Sequence, residues 1–294
     1  MKKIKIENLL YTGLILLLIA ISIYYIYKPT DTKKIPELEV QLIDVGQAES
    51  ILIRHQDHNI LIDAGNNKDG DLLVEYFKSM NIKEFDYVIG THPHEDHIGG
   101  LDNIINNFNI NHIMMPDLTT NTKTFEEVLD AIEKKNYKIE IPKDDDVFKV
   151  GDLDFLVIHS GTNNEDLNGS SLVLRMDYKE NSYLFTGDLT GEVEKTLLDK
   201  KIDVDVYKVA HHSSTHSNTY EFLEKVTPKY AIISFAKNND YYYPHIKTIN
   251  RLKKYTDEIY MTSDLGTIII EDDGEKIEIS SKETNTDGGD AWDI

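Results

Sequence analysis

From residue 38 the apolar positions of this chain fall on every second residue, Leu38, Val40 and Leu42, and then in two compact runs, Ile51 to Ile53 and Ile60 to Ile62. Such spacing predicts the early strands of a sheet. Helical and strand-like stretches then alternate: a helix over Leu72 to Met80 and a strand over Tyr87 to Ile89, a helix over Leu101 to Phe108 and a strand over His112 to Met115, a helix over Phe125 to Asn136 and a strand over Lys138 to Ile141. A β-rich stretch follows, with strands at Phe155 to Ile158, Leu172 to Met176 and Tyr183 to Phe185. Alternation resumes with helices at Val193 to Leu198, Phe222 to Val226 and Ile246 to Tyr255, and strands at Val204 to Val209, Ala231 to Ser234 and Glu258 to Met261. It closes on a pair of strands at Thr267 to Glu271 and Lys276 to Ile279. This order predicts an α/β protein of mixed sheets with helices on their outer faces. No repeat at a solenoid period interrupts it.

The N-terminus follows a different rule. Leu9 to Tyr27 carry no charge, Lys2, Lys3 and Lys5 precede them, and Tyr24, Tyr25 and Tyr27 cluster at the far end. The run is long enough to cross a bilayer core as one helix with an interfacial aromatic belt, which predicts a membrane anchor. Ala20 and Ser22 offer the competing reading of a cleaved signal. Either places the remainder outside the cytoplasmic membrane, as a single-pass extracellular or a secreted domain. The expected organisation is therefore an anchor and linker over 1–36, one domain over 37–280, and a frayed acidic tail over 281–294.

Composition narrows the function. In 294 residues, 52 Asp and Glu face 31 Lys and Arg, a formal net charge of −21, and only Arg54, Arg175 and Arg251 are arginines. A duplex-binding surface needs clustered cations to release phosphate counterions, so a broad nucleic-acid footprint is disfavoured. With no cysteine, disulfide partners, thiolate zinc sites and thiol catalysis are excluded. The acidic runs Asp144 to Asp146 and Glu271 to Asp273 read as solvated faces.

One segment carries chemistry. Directly after the strand ending at Ile89 stands Thr91-His92-Pro93-His94-Glu95-Asp96-His97-Ile98-Gly99-Gly100. Three imidazoles and a carboxylate within six residues would be costly to bury unpaired, and they are ligands that zinc accepts when thiolates are absent. His92 and His94 can hold one cation, Asp96 and His97 a second beside it, and a carboxylate can bridge the two. Asp188, ending a strand in Thr186-Gly187-Asp188, is the candidate bridge. His159 can complete the first ion, and either His211 or His212 the second. All sit at strand ends, which in an α/β sheet share one rim. Asp63 is expected to orient the histidine loop rather than bind metal. His216, His245 and the run Tyr241 to Tyr243 read either as substrate contacts or as ordinary loop residues.

These residues carry a resemblance. Asp44-Val45-Gly46-Gln47-Ala48-Glu49-Ser50, Leu61-Ile62-Asp63-Ala64-Gly65, His92 to Gly100, Thr186-Gly187-Asp188 and Lys208-Val209-Ala210-His211-His212-Ser213-Ser214 are similar to the extracytoplasmic hydrolase domain of ComEC-type competence proteins, within the metallo-β-lactamase superfamily. Cell-surface phosphorylcholine esterases look like the same branch. The resemblance covers roughly residues 38 to 280 and implies a four-layer αββα sandwich holding two divalent ions, zinc or manganese. It implies ligand roles for His92, His94, Asp96, His97, Asp188 and one of His211 and His212, with His159 a looser match. Hydrolysis by solvent activated between the ions would follow, Asp96 orienting the attacking water and the spare histidine steadying an anionic oxygen or protonating the leaving group. The chain departs from the pattern at Ser213, where the family has Gly, and at Tyr243, where the family has His before Pro. No multi-helix channel is expected within these 294 residues, so the resemblance does not imply DNA uptake.

The expected activity is phosphodiester hydrolysis on a small or surface-tethered substrate. The alternatives are a single-stranded DNA nuclease of ComEC type, a β-lactamase proper, and a non-catalytic surface binding module on the same scaffold.

Overall fold

The computed structural model describes residues 37–161 and 166–283. The expected membrane anchor at 9–27 and the end of the acidic tail lie outside these residues. Among the described residues no helix is long and apolar enough to cross a membrane.

In chain order the strands are β1 (Leu38–Leu42), β2 (Ile51–His55), β3 (His58–Ile62), β4 (Glu84–Ile89), β5 (Asn109–Met114), β6 (Ile139–Glu140), β7 (Val147–Val150), β8 (Leu153–His159), β9 (Val173–Tyr178), β10 (Asn181–Phe185), β11 (Val206–Lys208), β12 (Tyr230–Ile233), β13 (Glu258–Met261), β14 (Thr267–Asp272) and β15 (Ile277–Lys282). The helices are α1 (Gly70–Ser79), α2 (Glu95–Ile98), α3 (Leu101–Asn107), α4 (Lys123–Lys134), α5 (Gly191–Glu194), α6 (Tyr220–Val226), α7 (Ile246–Leu252) and α8 (Thr262–Leu265). Among the described residues they form an eight-stranded sheet in the order β15-β14-β1-β2-β3-β4-β5-β6 and a seven-stranded sheet in the order β13-β12-β11-β10-β9-β8-β7.

The sheets pack face to face. Ile51, Ile53, Ile60 and Ile62 of the first meet Phe155, Val157, Leu174, Met176 and Phe185 of the second in one buried cluster. The intervening Leu52 and Leu61 turn the other way, onto Leu73, Phe77, Ile104 and Val128 of α1, α3 and α4. On the far side Leu184, Tyr207, Ala231 and Ile233 pack against Phe222, Leu223, Ile249 and Leu252 of α6 and α7. Successive strand side chains point to opposite faces, so a strand covered on both sides must be apolar at every position. That is why the Ile-Leu-Ile triplets are unbroken, and the result is the expected αββα sandwich.

Several boundaries differ from the sequence reading. β7 was not anticipated because it is an edge strand with Val147 76% exposed beside an acidic run. The helix expected over Val193 to Leu198 is one turn of α5 passing into a 3₁₀ turn at Lys195–Leu197, and α7 stops at Leu252. Ser281 and Lys282 are not part of a frayed tail, since they pair in β15 with Ile268 and Thr267. Asp272 is not on a solvated face: it is buried and accepts hydrogen bonds from Tyr183 Oη and Asn181 Nδ2, both at 2.7 Å.

Strand direction gathers the site. β3, β4 and β5 run parallel, as do β10, β11, β12 and β13. Their carboxyl ends supply the loops that carry Asp63, the histidine segment, Asp188, the pair His211 and His212, and Ser234.

Candidate metal centre

The first half of the site leaves β4. Asp63, fully buried, accepts hydrogen bonds from the Thr91 amide at 2.8 Å and from Thr91 Oγ1 at 2.7 Å. It also accepts from His97 Nδ1 at 2.7 Å. Asp96 and His97 lie on the single turn of α2, and His94 caps it in extended backbone. The glycines that follow are a packing requirement: a Cβ on Gly99 would stand 2.2 Å from the Asn67 backbone nitrogen. Asp63 thus performs the orienting role read from the sequence.

The second half leaves β10 and β11. Gly187 has φ 48°, and a Cβ there would lie 2.9 Å from Thr91 Oγ1, so glycine alone lets the Asp188 turn close onto the histidine loop. The Asp188 amide donates to Ser171 Oγ at 3.0 Å. His211, His212 and Ser213 all adopt left-handed backbone, at φ 52°, 49° and 71°. His212 Nδ1 donates to the Ser234 carbonyl at the end of β12, at 2.7 Å.

These halves converge. Asp96, His97, Asp188 and His212 each present one ligand atom, and those atoms all lie within 4.8 Å of one another. His97 Nε2 is 3.3 Å from Asp188 Oδ1, and His212 Nε2 is 3.6 Å from the same oxygen and 3.5 Å from Asp96 Oδ2. Beside this group, His92 Nε2 and His94 Nδ1 face each other at 3.1 Å. His92 Nδ1 lies 3.2 Å from Thr91 Oγ1 and 3.3 Å from Ser171 Oγ, so its other nitrogen is the one directed at the site. His211 Nε2 is 3.6 Å from Asp188 Oδ2.

The donor set fits divalent cations on a specific observation. His97 Nε2, His212 Nε2 and Asp188 Oδ1 are buried and make no well-aligned hydrogen bond, facing only one another and Asp96 at 3.3–3.6 Å, although the opposite nitrogen of each histidine is firmly bonded. A buried polar atom without a partner costs about 1–3 kcal/mol, and three facing one point are explained by a shared ligand. A metal-binding histidine characteristically donates its other N–H to a carboxylate or a backbone carbonyl, as both do here.

Electrostatics agree. Burial holds His92 well below the usual histidine range, with the neighbouring His97 adding to the effect, so the ring is neutral and its lone pair available. Burial also opposes charge on His97, but Asp188, Asp63 and Asp96 outweigh it and raise that ring well above its usual value. Asp188 feels the same burial, and His212, His97 and His211 overcome it to keep the carboxylate well below its ordinary range. Burial lowers His211.

Not every expected ligand arrives. His159 is the exception: its Nε2 lies 3.2 Å from the Gly169 carbonyl and its Nδ1 4.0 Å from Asp144, where the pairing of β8 with β9 shifts register between Val157 and His159 and re-aims the strand end. His159 therefore takes no place among the converging atoms. His245 is occupied in the protein itself, its Nδ1 accepting from the Thr215 amide at 3.0 Å. Other contributors have no role in the sequence reading. Thr91, Ser171 and the Ser234 carbonyl hold the ligands, and a fully buried ion pair of Lys208 and Glu49 ties the segment before His211 to the segment around Asp44. The Glu49 amide in turn donates to the Asp96 carbonyl at 2.9 Å. Lys208 was the one signal available, a lysine in an otherwise apolar strand end.

A cavity of about 290 Å³ opens over the cluster, lined by His94, Asp96, Asp188, His211 and His212 with Gln47, Asn168, Tyr241 and Tyr243 at its walls. The Tyr241 and Tyr243 rings stack at 5.5 Å and 14°.

An αββα sandwich with a His/Asp cluster on its rim defines a class, and residues 43–237 match the family model of the metallo-beta-lactamase superfamily: the chain belongs to that superfamily. Within it the chain is similar to ComE operon protein 3 of Bacillus subtilis, with 33% identity over 253 residues, 79% of this chain and 33% of that protein. It is also similar to Recombination protein 2 of Haemophilus influenzae, at 28% identity over 85% of this chain and 31% of that protein, and to competence protein ComA of Neisseria gonorrhoeae, at 26% over 82% and 33%. The chain spans about a third of the length of these curated relatives. Among solved structures, the metallo-beta-lactamase fold protein YhfI from Bacillus subtilis superposes with a TM-score of 0.53 at 13% identity, over 76% of this chain and 95% of that one, which shows a shared fold. CmlA, a diiron beta-hydroxylase from Streptomyces venezuelae, superposes with 0.51 at 14% identity, over 77% and 52%.

Proposed function

We propose that this chain is a dinuclear metal-dependent hydrolase acting on phosphodiesters. The observation that carries the reading is the set of inward-facing ligand atoms on His97, His212 and Asp188 without a well-aligned partner, each histidine held by a hydrogen bond on its outer nitrogen and Asp188 by its backbone amide on Ser171. His92, His94 and Asp188 would hold one cation, and Asp96, His97, His212 and Asp188 the other, with zinc and manganese both compatible with imidazole and carboxylate donors. When bound, such a pair supplies Lewis acidity and lowers the pKa of water.

The chain's own residues supply the rest. Asp63 and the Ser234 carbonyl fix which nitrogen of His97 and His212 faces inward. Asp96, partly exposed to the cavity, can accept a hydrogen bond from an attacking water and orient it. His211 is kept neutral by burial and borders the cavity, so its ring N–H serves as a donor to an anionic phosphoryl oxygen without adding charge. The modest volume of the cavity, about 290 Å³, supports a small or surface-tethered substrate. Anchoring through residues 9–27, with this domain outside the cytoplasmic membrane, belongs to the same proposal.

Purified chain supplied with Mn²⁺ or Zn²⁺ is expected to cleave bis(p-nitrophenyl) phosphate. Asp96→Ala and His97→Ala are each expected to slow that cleavage by roughly 10³-fold or more, since each removes a cation ligand worth several kcal/mol to the transition state. Undiminished turnover in either variant refutes the assignment. Full metal occupancy with no turnover on phosphodiester, thioester, lactone or β-lactam substrates would favour the non-catalytic binding module instead.

A second reading, single-stranded DNA cleavage, is favoured by the tyrosines. Tyr241 is 62% exposed and stacks on Tyr243 at the cavity wall, a surface on which a base can lie. Base stacking on an aromatic side chain is worth about 1–3 kcal/mol. Tyr241→Ala is accordingly expected to raise KM for an oligonucleotide by about 5- to 150-fold while leaving bis(p-nitrophenyl) phosphate turnover unchanged. Equal effects on both substrates would remove this reading.

A further inference from the structure

The two halves of the cation site are unequally furnished. Asp96, His97, Asp188 and His212 bring four ligand atoms together, whereas the other position has His92, His94 and the shared Asp188. The histidine expected to complete it, His159, points instead at the Gly169 carbonyl.

That carbonyl belongs to a tight turn which brings a different side chain forward. The Asn168 amide donates to Asp166 Oδ1 at 3.2 Å, the Ser171 amide donates to the Asn168 carbonyl at 3.0 Å, and Ser171 Oγ stands 3.3 Å from His92 Nδ1. Asn168 lines the cavity together with His94 and Asp188. Its Oδ1 is buried and has no hydrogen-bond partner, and the inward atoms of His97, His212 and Asp188 likewise lack a well-aligned one. An amide oxygen left buried in this way is costly unless something positive meets it.

Resting on the dinuclear reading above, we infer that Asn168 supplies its Oδ1 as a ligand to the cation held by His92, His94 and Asp188, in the place a third imidazole would otherwise take. An amide carbonyl is a neutral, hard oxygen donor. Replacing an imidazole by it shifts preference at that position from zinc towards manganese, which favours oxygen ligands. The two positions are therefore unlike: an oxygen-richer one at Asn168 and a histidine-rich one sharing Asp188.

The test reads metal uptake, not hydrolysis. Chelator-stripped full-length chain is titrated with Mn²⁺, free ion being followed by electron paramagnetic resonance, and the titration is repeated with Zn²⁺ in competition. Wild type is expected to take up two Mn²⁺. Asn168→Ala is expected to keep one at wild-type affinity and to weaken the other by on the order of 10-fold or more. Asn168→Asp is expected to restore the second ion, and Asn168→His to make that position take Zn²⁺ in preference to Mn²⁺. Thermal melts of the stripped proteins should coincide, which separates loss of a ligand from loss of the fold. Should Asn168→Ala bind both Mn²⁺ ions as tightly as wild type, or Asn168→His leave the metal preference unchanged, the role of Asn168 is overturned while the dinuclear hydrolase stands. Wild type that binds neither Mn²⁺ nor Zn²⁺ overturns both.

Discussion

His94 enters the site at φ −78° ahead of a helical turn, whereas His211 and His212, on the opposite side of the same cluster, stand at φ 52° and 49° and are followed by Ser213 at 71°. The first-sheet side is relaxed in its ligand loop and places its special geometry one layer back, at Asp63, φ 59°, whose carboxylate accepts from Thr91 and His97 at once. The second-sheet side puts the strain in the ligand-bearing residues themselves. Left-handed backbone costs a residue with a Cβ about 1–2 kcal/mol, so a run of three persists only because its surroundings hold it. Here those surroundings are the Ser234 carbonyl on His212, the buried Lys208 and Glu49 pair just before the turn, and the packing of Tyr243 against His211 and His212 with ring centroids 6.0 Å away. The first side positions its ligands by hydrogen bonding to a relaxed loop, and the second adds enforced backbone to the hydrogen bond that His212 makes with the Ser234 carbonyl. Changes to a hydrogen-bonding group should therefore show in metal affinity, and changes to backbone freedom should show in stability.

The sharpest way to break this contrast is Asp63→Asn. Its single carbonyl oxygen cannot accept from the Thr91 amide, the Thr91 hydroxyl and His97 Nδ1 at once, and its NH₂ would face one of those donors; losing an orienting partner of this kind costs about 10–100-fold in metal affinity. Competition with a chelator measures it, and affinity within twofold of wild type would mean that the first-sheet side does not depend on Asp63.

A smaller effect follows from charge. In the metal-free chain His97 is raised well above its usual value because Asp188, Asp63 and Asp96 outweigh burial, which favours a second proton, on Nε2, in the neutral pH range. Raised in the fold, this group stabilises the metal-free protein fully below the ordinary histidine pKa of about 6.5, and that contribution is lost as pH rises through the folded-state value. Cation binding at Nε2 expels the proton. Affinity is thus expected to strengthen about tenfold per pH unit up to the folded-state value and to level off above it. Titration calorimetry at pH 7 in two buffers of different ionisation enthalpy should detect the released proton, and identical heats would contradict it.

The smallest effect tests the second side. Ser213→Gly replaces a buried serine at φ 71° by a residue with no Cβ penalty, and should stabilise the protein by about 1 kcal/mol while metal affinity stays the same. Chemical denaturation measures the gain. A loss of stability would show that the buried hydroxyl, not the backbone, decides that position.

Much of this molecule was written locally. The Ile-Leu-Ile triplets announced strands, and the segment from His92 to His97 announced a metal loop, because both signals lie in adjacent residues whose chemistry needs no partner to be recognised. Asp63 and Asp188 were legible for a related reason: a carboxylate just beyond an apolar strand, in Asp188's case after a glycine, marks a strand end whether or not its neighbours are known. Edge strand β7 was not legible, since an exposed edge carries no apolar periodicity, and Asp272 was misread because an aspartate within an acidic run looks solvated until Tyr183 and Asn181 are found against it.

The chain's order by itself settled which residue types gather at strand ends and that mixed sheets with outer helices would hold them, while the two-sheet sandwich was what the family resemblance implied. Only the packed structure decided between His211 and His212 for the four-atom cluster, turned His159 away, and brought Asn168, Ser171 and the Ser234 carbonyl to bear. Those choices depend on where β8, β9 and β12 deliver their ends relative to β4 and β10. Distances between strand ends are set by how the two sheets pack, a property that no single stretch of residues contains.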